Sequence, residues 1–104
     1  MDQAEKVANA IRGYVDAWAA DWLRRGMGVL PESERWVSEH EMRERFVDAH
    51  ARRIAIGMTE DEREAVQAER REASASFGKG LATCERLGIV ERDPAPLSTS
   101  IRLA

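Results

Sequence analysis

The sequence predicts a mainly α fold: a compact bundle of three to four helices with a short β-hairpin at the C-terminal end. Three observations predict it. Apolar residues recur at helical spacing along much of the chain, two capping boxes mark helix starts, and "IVER", "DPAPLS" and "TSIRL" read as strand, turn and strand. With 104 residues, 43% of them apolar and 34% charged, the chain has the size and composition of a single soluble domain, 1–104.

The first helix is expected over 3–25. Val7, Ile11, Tyr14, Trp18 and Trp22 fall at steps of four, three, four and four, so they line one side. Arg24 and Arg25 suit a helix C-terminus, Gly26 suits a left-handed cap, and Pro31 forbids continuation soon afterwards. The second helix is expected over 39–56. Ser38 and Glu41 make the capping box, Val37 and Met42 stand at the staple positions, and Met42, Phe46, Val47, His50 and Ile54 form the inner side up to Gly57. Trp36 should pack beneath the start of this helix, its indole N–H seeking an acceptor.

Thr59 and Glu62 repeat the capping box, and "TEDE" puts acid at the positive end of a third helix, expected over 60–73. The Ser and Gly residues of "ASASFGKG" weaken helical propensity, so a turn is expected at Ser74 to Ser76, with a fourth helix over 76–87. Phe77, Leu81, Cys84 and Leu87 share its apolar side. Gly88 ends it, and 89–103 is the expected hairpin, which must pack on the helices because a two-stranded ribbon is marginal alone.

Composition narrows the functional classes. A single cysteine excludes an intrachain disulfide and fits a reducing cytoplasm, no apolar run is long enough to span a membrane, and the start "MDQAEKVANA" does not read as a targeting signal. No metal site or cofactor is expected. His40 and His50 lie ten residues apart and on different faces of their helix, and "FGKG" is too short to cradle a phosphate. Cys84 sits on an apolar stripe with no histidine near it in sequence, as a buried inert thiol would. With no catalytic constellation, a non-enzymatic role is expected. The net charge of −3 requires any contact with DNA to be made by a local basic patch.

"LATCERLGIVERD" resembles the end of winged helix-turn-helix domains, in which a recognition helix leads through a Leu-Gly-Ile/Leu-Val-type corner into a strand, a wing and a second strand. The resemblance covers the last quarter of the chain. It implies a helix docked in a DNA groove, with Ser76, Lys79, Thr83 and Arg86 facing outward from it and Arg92 and Arg102 flanking the wing. Such a protein would be a small cytoplasmic DNA-binding or DNA-associated regulator. The competing expectation is a helical adaptor, inhibitor or accessory subunit acting on a larger protein or nucleoprotein complex. Trp18 and Trp22 would then anchor a partner or a second copy in a homodimer, and Glu60, Asp61 and Glu64 would face a basic groove. The Ala- and Arg-rich composition is compatible with a bacterial or phage source.

Overall fold

A computed structural model describes residues 2–29 and 35–104, with the backbone alone for Trp18 and Trp22. Pro31, and the side chains proposed as anchors at Trp18 and Trp22, therefore lie outside the described residues. The elements run α1 (Gln3–Arg24), β1 (Val37–Ser38), α2 (Glu39–His50), α3 (Glu60–Arg86), β2 (Val90–Arg92) and β3 (Ser100–Leu103). The fold is mainly helical, with a small antiparallel sheet. Among the described residues no helix is long and apolar enough to cross a membrane.

Side-chain caps start each helix. Asp2 accepts from the amide of Glu5 at 2.8 Å, Ser38 from Glu41 at 3.3 Å and Thr59 from Glu62 at 3.2 Å. The staple pair Val37 and Met42 is buried. Glu41 does not turn back to close its capping box: its carboxylate accepts from the Tyr14 hydroxyl at 2.8 Å, tying α2 to α1. Burial, and next the Glu41 contact, raise the pKa of Tyr14 above its ordinary value.

Two helix boundaries differ from expectation. The second helix stops at His50, not 56, because Ala51 is extended, and Ile54 lies exposed in the loop that follows. His50 is exposed too, although its ring rests on Phe46 at 4.3 Å. The loop is held from outside by ion pairs. Arg52 reaches Glu69 at 2.9 Å, while Arg70 reaches Asp48 at 2.7 Å and donates to the Arg52 carbonyl at 3.0 Å. The expected turn at Ser74 to Ser76 is absent: α3 runs unbroken from Glu60 to Arg86 and replaces the separate helices expected over 60–73 and 76–87. Tertiary packing outweighs the weak propensity of "ASASFGKG". Ala73, Phe77 and Gly80 are buried, and Arg43 of α2 donates to the Ser74 carbonyl at 2.7 Å, bracing the helix where a break was expected.

The core joins Ala4, Val7, Ala8 and Ile11 of α1 to Met42 and Phe46 of α2, to Phe77, Leu81 and Cys84 of α3, and to Val37, Val90 and Ile101 of the sheet. Gly80 allows α1 and α3 to meet closely, since a Cβ there would lie 2.6 Å from the Gln3 carbonyl oxygen and from a Val7 methyl. Cys84 is buried in this seam and donates to the Ala4 carbonyl at 3.2 Å; burial pushes its thiol pKa up. Leu87, expected on the apolar side, is 63% exposed because it lies past the last helical residue.

The hairpin is present, and β3 pairs antiparallel with β2, Glu91 opposite Arg102. The sequence reading missed β1, a two-residue strand that pairs with the other edge of β3, Val37 opposite Ile101. The strand order is β1-β3-β2. A third strand gives the ribbon the support that two strands lack.

The hydrogen bond from Arg70 depresses the pKa of Asp48, and those from the side chain and amide of Arg52 depress that of Glu69. A carboxylate with a lowered folded pKa stabilises the fold above its unfolded pKa, and that stabilisation is lost as pH falls through the folded value. The tether on residues 51–59 should therefore persist through the ordinary carboxylate range and release below it. Carboxyl carbon shifts followed against pH should give midpoints below 3.8 for Asp48 and below 4.5 for Glu69. Arg70→Ala and Arg52→Ala should return them toward those values, and unshifted midpoints in the parent protein would contradict the tether.

Candidate nucleic-acid interface

The six residues proposed for DNA contact divide into two groups. Lys79 and Arg86 are exposed on α3, and their side chains pair with no other described residue. The other four are occupied. Ser76, half-buried, accepts from the Gln3 side chain at 3.2 Å, and the Thr83 hydroxyl donates back to the Lys79 carbonyl at 3.0 Å. Neither faces outward with Lys79 as expected, because both lie on the flank of α3 that turns toward α1.

Arg92 turns back from β2, donating to Glu85 of α3 and to Glu39 of α2, each at 2.9 Å. The hydrogen bond it donates to Glu39 is the main cause holding its pKa above the ordinary arginine value. Its charge fastens the ribbon to two helices. Arg102 pairs across the strands with Glu91 and lays its guanidinium over the Trp36 ring at 4.3 Å, so Trp36 is half-buried beneath a cation. These two arginines brace the ribbon internally.

Continuity of α3 adds a residue that the sequence reading missed. At about 100° per residue, Arg71, Ala75, Lys79, Ala82 and Arg86 fall within an arc of about 80°. All five are exposed, and Arg71, like Lys79 and Arg86, has no partner among the described residues. From Arg71 to Arg86 the stripe is about 22 Å long at the helical rise. It carries no acid. Glu72 and Glu85 flank it, Glu85 already held by Arg92, and Glu64 lies two turns before it. Ala75 and Ala82, with Gly78 at the margin, leave the surface between the cations low. Arg43 lies beside Gly78, 3.5 Å from where a Cβ would stand, and rests on the Phe77 ring. A turn at Ser74 to Ser76 would have separated Arg71 from the other two, which is why the stripe was not read from sequence.

The residues proposed for a protein partner lie at the far end of α3. Glu60, Asp61 and Glu64 are exposed there, next to a loop whose Ile56 is fully exposed. Among the described residues no group of three His, Cys, Asp or Glu side chains is placed to hold a metal ion. No protein-family model, curated protein or solved structure matches this chain.

Proposed function

We propose that this chain is a small DNA-binding or DNA-associated regulatory protein of winged-helix type, which lays the C-terminal half of α3 along a duplex. The observation that carries the reading is the acid-free stripe of Arg71, Lys79 and Arg86 on one helix face. Phosphates are the commonest targets of such side chains, and small residues between them let a helix backbone approach a groove wall. The order of elements adds support: α3 passes through the Leu-Gly-Ile-Val corner into β2, a loop and β3, as the resemblance implies. The local patch answers the objection raised by the net charge of −3. Arg92 and Arg102 act indirectly in this reading, by holding the ribbon beside the helix.

Titration of a labelled duplex at several salt concentrations tests the reading. If each cation neutralises one phosphate, replacing Arg71, Lys79 and Arg86 together by alanine should lower the salt slope by about 2.7, at about 0.9 per contact. These side chains are exposed, so the fold should persist, as circular dichroism would verify. No retention of duplex at low salt by the parent protein would overturn the proposal.

A second reading, a helical interaction protein without DNA readout, is favoured by the exposed acidic start of α3 beside Ile54 and Ile56. Reversal of Glu60, Asp61 and Glu64 to lysine should then abolish co-purification with one specific partner, while the stripe variant retains it. Unchanged co-purification would remove that surface from contention.

A further inference from the structure

Arg43 of α2 is half-buried, yet it forms no ion pair among the described residues. Its Nη1 donates to the Ser74 carbonyl at 2.7 Å and to the Ser74 hydroxyl at 3.2 Å, and its guanidinium carbon stands 5.1 Å from the centre of the Phe77 ring. All of these partners are neutral. Beside it runs a shallow groove of about 300 Å³ between α2 and α3, lined by Arg43, Glu44, Val47, Arg70, Arg71 and Ser74. We infer that this groove binds a phosphate group through Arg43, Arg71 and the Ser74 hydroxyl.

The charge balance favours an anion. Stripping a guanidinium of part of its water is costly unless a negative group offsets it. Arg70 has that offset, because Asp48 accepts from it at 2.7 Å while also holding Arg53 at 3.0 Å. Arg43 and Arg71 have none among the described residues. Glu44, the acid of the described lining, is exposed, leans to His40 at 3.9 Å and bonds to neither arginine. Glu69 and Glu72 line a different cavity, on the other flank of α3 with Lys6 and His50. Arg43, Arg53, Arg70 and Arg71 therefore stand against Glu44 and Asp48, and the groove keeps a surplus positive charge.

The donors are also preset. With Nη1 bound to Ser74 and its face against a buried ring, Arg43 holds Nε and Nη2 in a fixed orientation without a described acceptor. Such a fork suits the paired hydrogen bonds that arginine makes to phosphate oxygens. Arg71 lies one turn before Ser74 on the same flank of α3, so its unpartnered side chain can close on a further oxygen. The Ser74 hydroxyl accepts from Arg43 and donates to no described group, which leaves its proton for the ligand. Donors on three sides fit a tetrahedral anion better than a planar carboxylate. The phosphate belongs either to a free phosphorylated small molecule or to the diester backbone of a nucleic-acid strand. Arg71 is shared with the stripe, but Lys79 and Arg86 are not, and the inference does not require the duplex reading.

The full chain, labelled with ¹⁵N, would be titrated at constant ionic strength with inorganic phosphate, adenosine 5′-monophosphate, the diester thymidylyl-(3′→5′)-thymidine and acetate. The arginine side-chain Nε–H signals report the result. Saturable shifts largest at Arg43 and Arg71 are expected with a phosphate-bearing probe, weakened about tenfold by Arg71→Gln. The Arg71 side chain is exposed and has no described partner, so this variant should fold like the parent. Tighter binding of the mononucleotide would identify a small-molecule site, and tighter binding of the diester would identify a strand backbone. Shifts that never saturate, that spread evenly over the arginines, that acetate reproduces, or that survive Arg71→Gln would overturn the inference. Replacing Lys79 and Arg86 together by alanine should leave phosphate binding unchanged while weakening any duplex binding. A parent protein that binds phosphate here but retains no duplex would uphold this inference and overturn only the duplex reading.

Discussion

Replacing Gly80 by alanine is expected to destabilise the fold by about 2–3 kcal/mol through overpacking. The loss should appear although alanine favours a helix over glycine by about 1 kcal/mol. The new methyl would stand 2.6 Å from both the Gln3 carbonyl oxygen and a methyl of Val7, distances that carbon does not tolerate. Neither neighbour can yield cheaply, because one is the backbone of α1 and the other is a fully buried core side chain. The helices would have to separate, straining the Cys84 contact to Ala4 and the Gln3 contact to Ser76. Gly13 provides the internal control. It lies inside α1, and a Cβ there would meet nothing within 4 Å, so Gly13→Ala should stabilise by about 0.5–1 kcal/mol through propensity alone. Urea midpoints of the two variants should move in opposite directions. A raised or unchanged midpoint for Gly80→Ala would show that α1 and α3 do not pack this closely.

Where structure follows from short-range chemistry, the sequence could be read directly. The caps at Ser38 and Thr59, the left-handed Gly26 and Gly88, and the reversal near Asp93 each depend on residues within a few positions. What escaped depends on distant partners. The pairing of β1 with β3 joins Val37 to Ile101, and two residues carry no alternation from which a strand could be inferred. The early end of α2 follows the same rule. Ile54 matched the inner face by spacing, yet the chain leaves the helix at Ala51 and is held by the ion pair of Arg52 with Glu69 of α3 and that of Arg70 of α3 with Asp48 of α2.

The candidate site was legible in the same proportion. Lys79 and Arg86 were recognisable because exposure follows from the spacing of Phe77, Leu81 and Cys84 on the opposite face. Arg92 and Arg102 were not separable from them by residue type alone. Their partners, Glu39 and Glu85 for one and Glu91 with Trp36 for the other, depend on how the ribbon folds back. Arg71 was hidden by a single local judgement, the turn at Ser74. A run of serine and glycine lowers helix propensity by an amount that burial of Phe77 and Ala73 can exceed.

That judgement can be tested directly by Ala75→Pro. Ala75 is exposed, so the substitution perturbs no core contact and reports on the backbone. In an unbroken helix, proline at this position removes the bond from its amide to the Arg71 carbonyl and drives its ring against the preceding turn, at a cost of about 3 kcal/mol or more. In a turn between two helices it would be accommodated at little cost. Ala75→Ser, which keeps the amide, should cost only about 0.5 kcal/mol by propensity. The thermal midpoint should therefore fall steeply for proline and slightly for serine, with helicity by circular dichroism reduced in the proline variant. Equal midpoints would mean that α3 does not cross Ser74 as one rod. The same substitution bears on function, because a kink at residue 75 turns Arg71 away from Lys79 and Arg86. Examined at low temperature where it remains folded, the proline variant should bind duplex with a salt slope reduced by about one contact's worth, about 0.9. A variant that kinks the helix yet keeps the full slope would show that Arg71 does not act together with the other two cations.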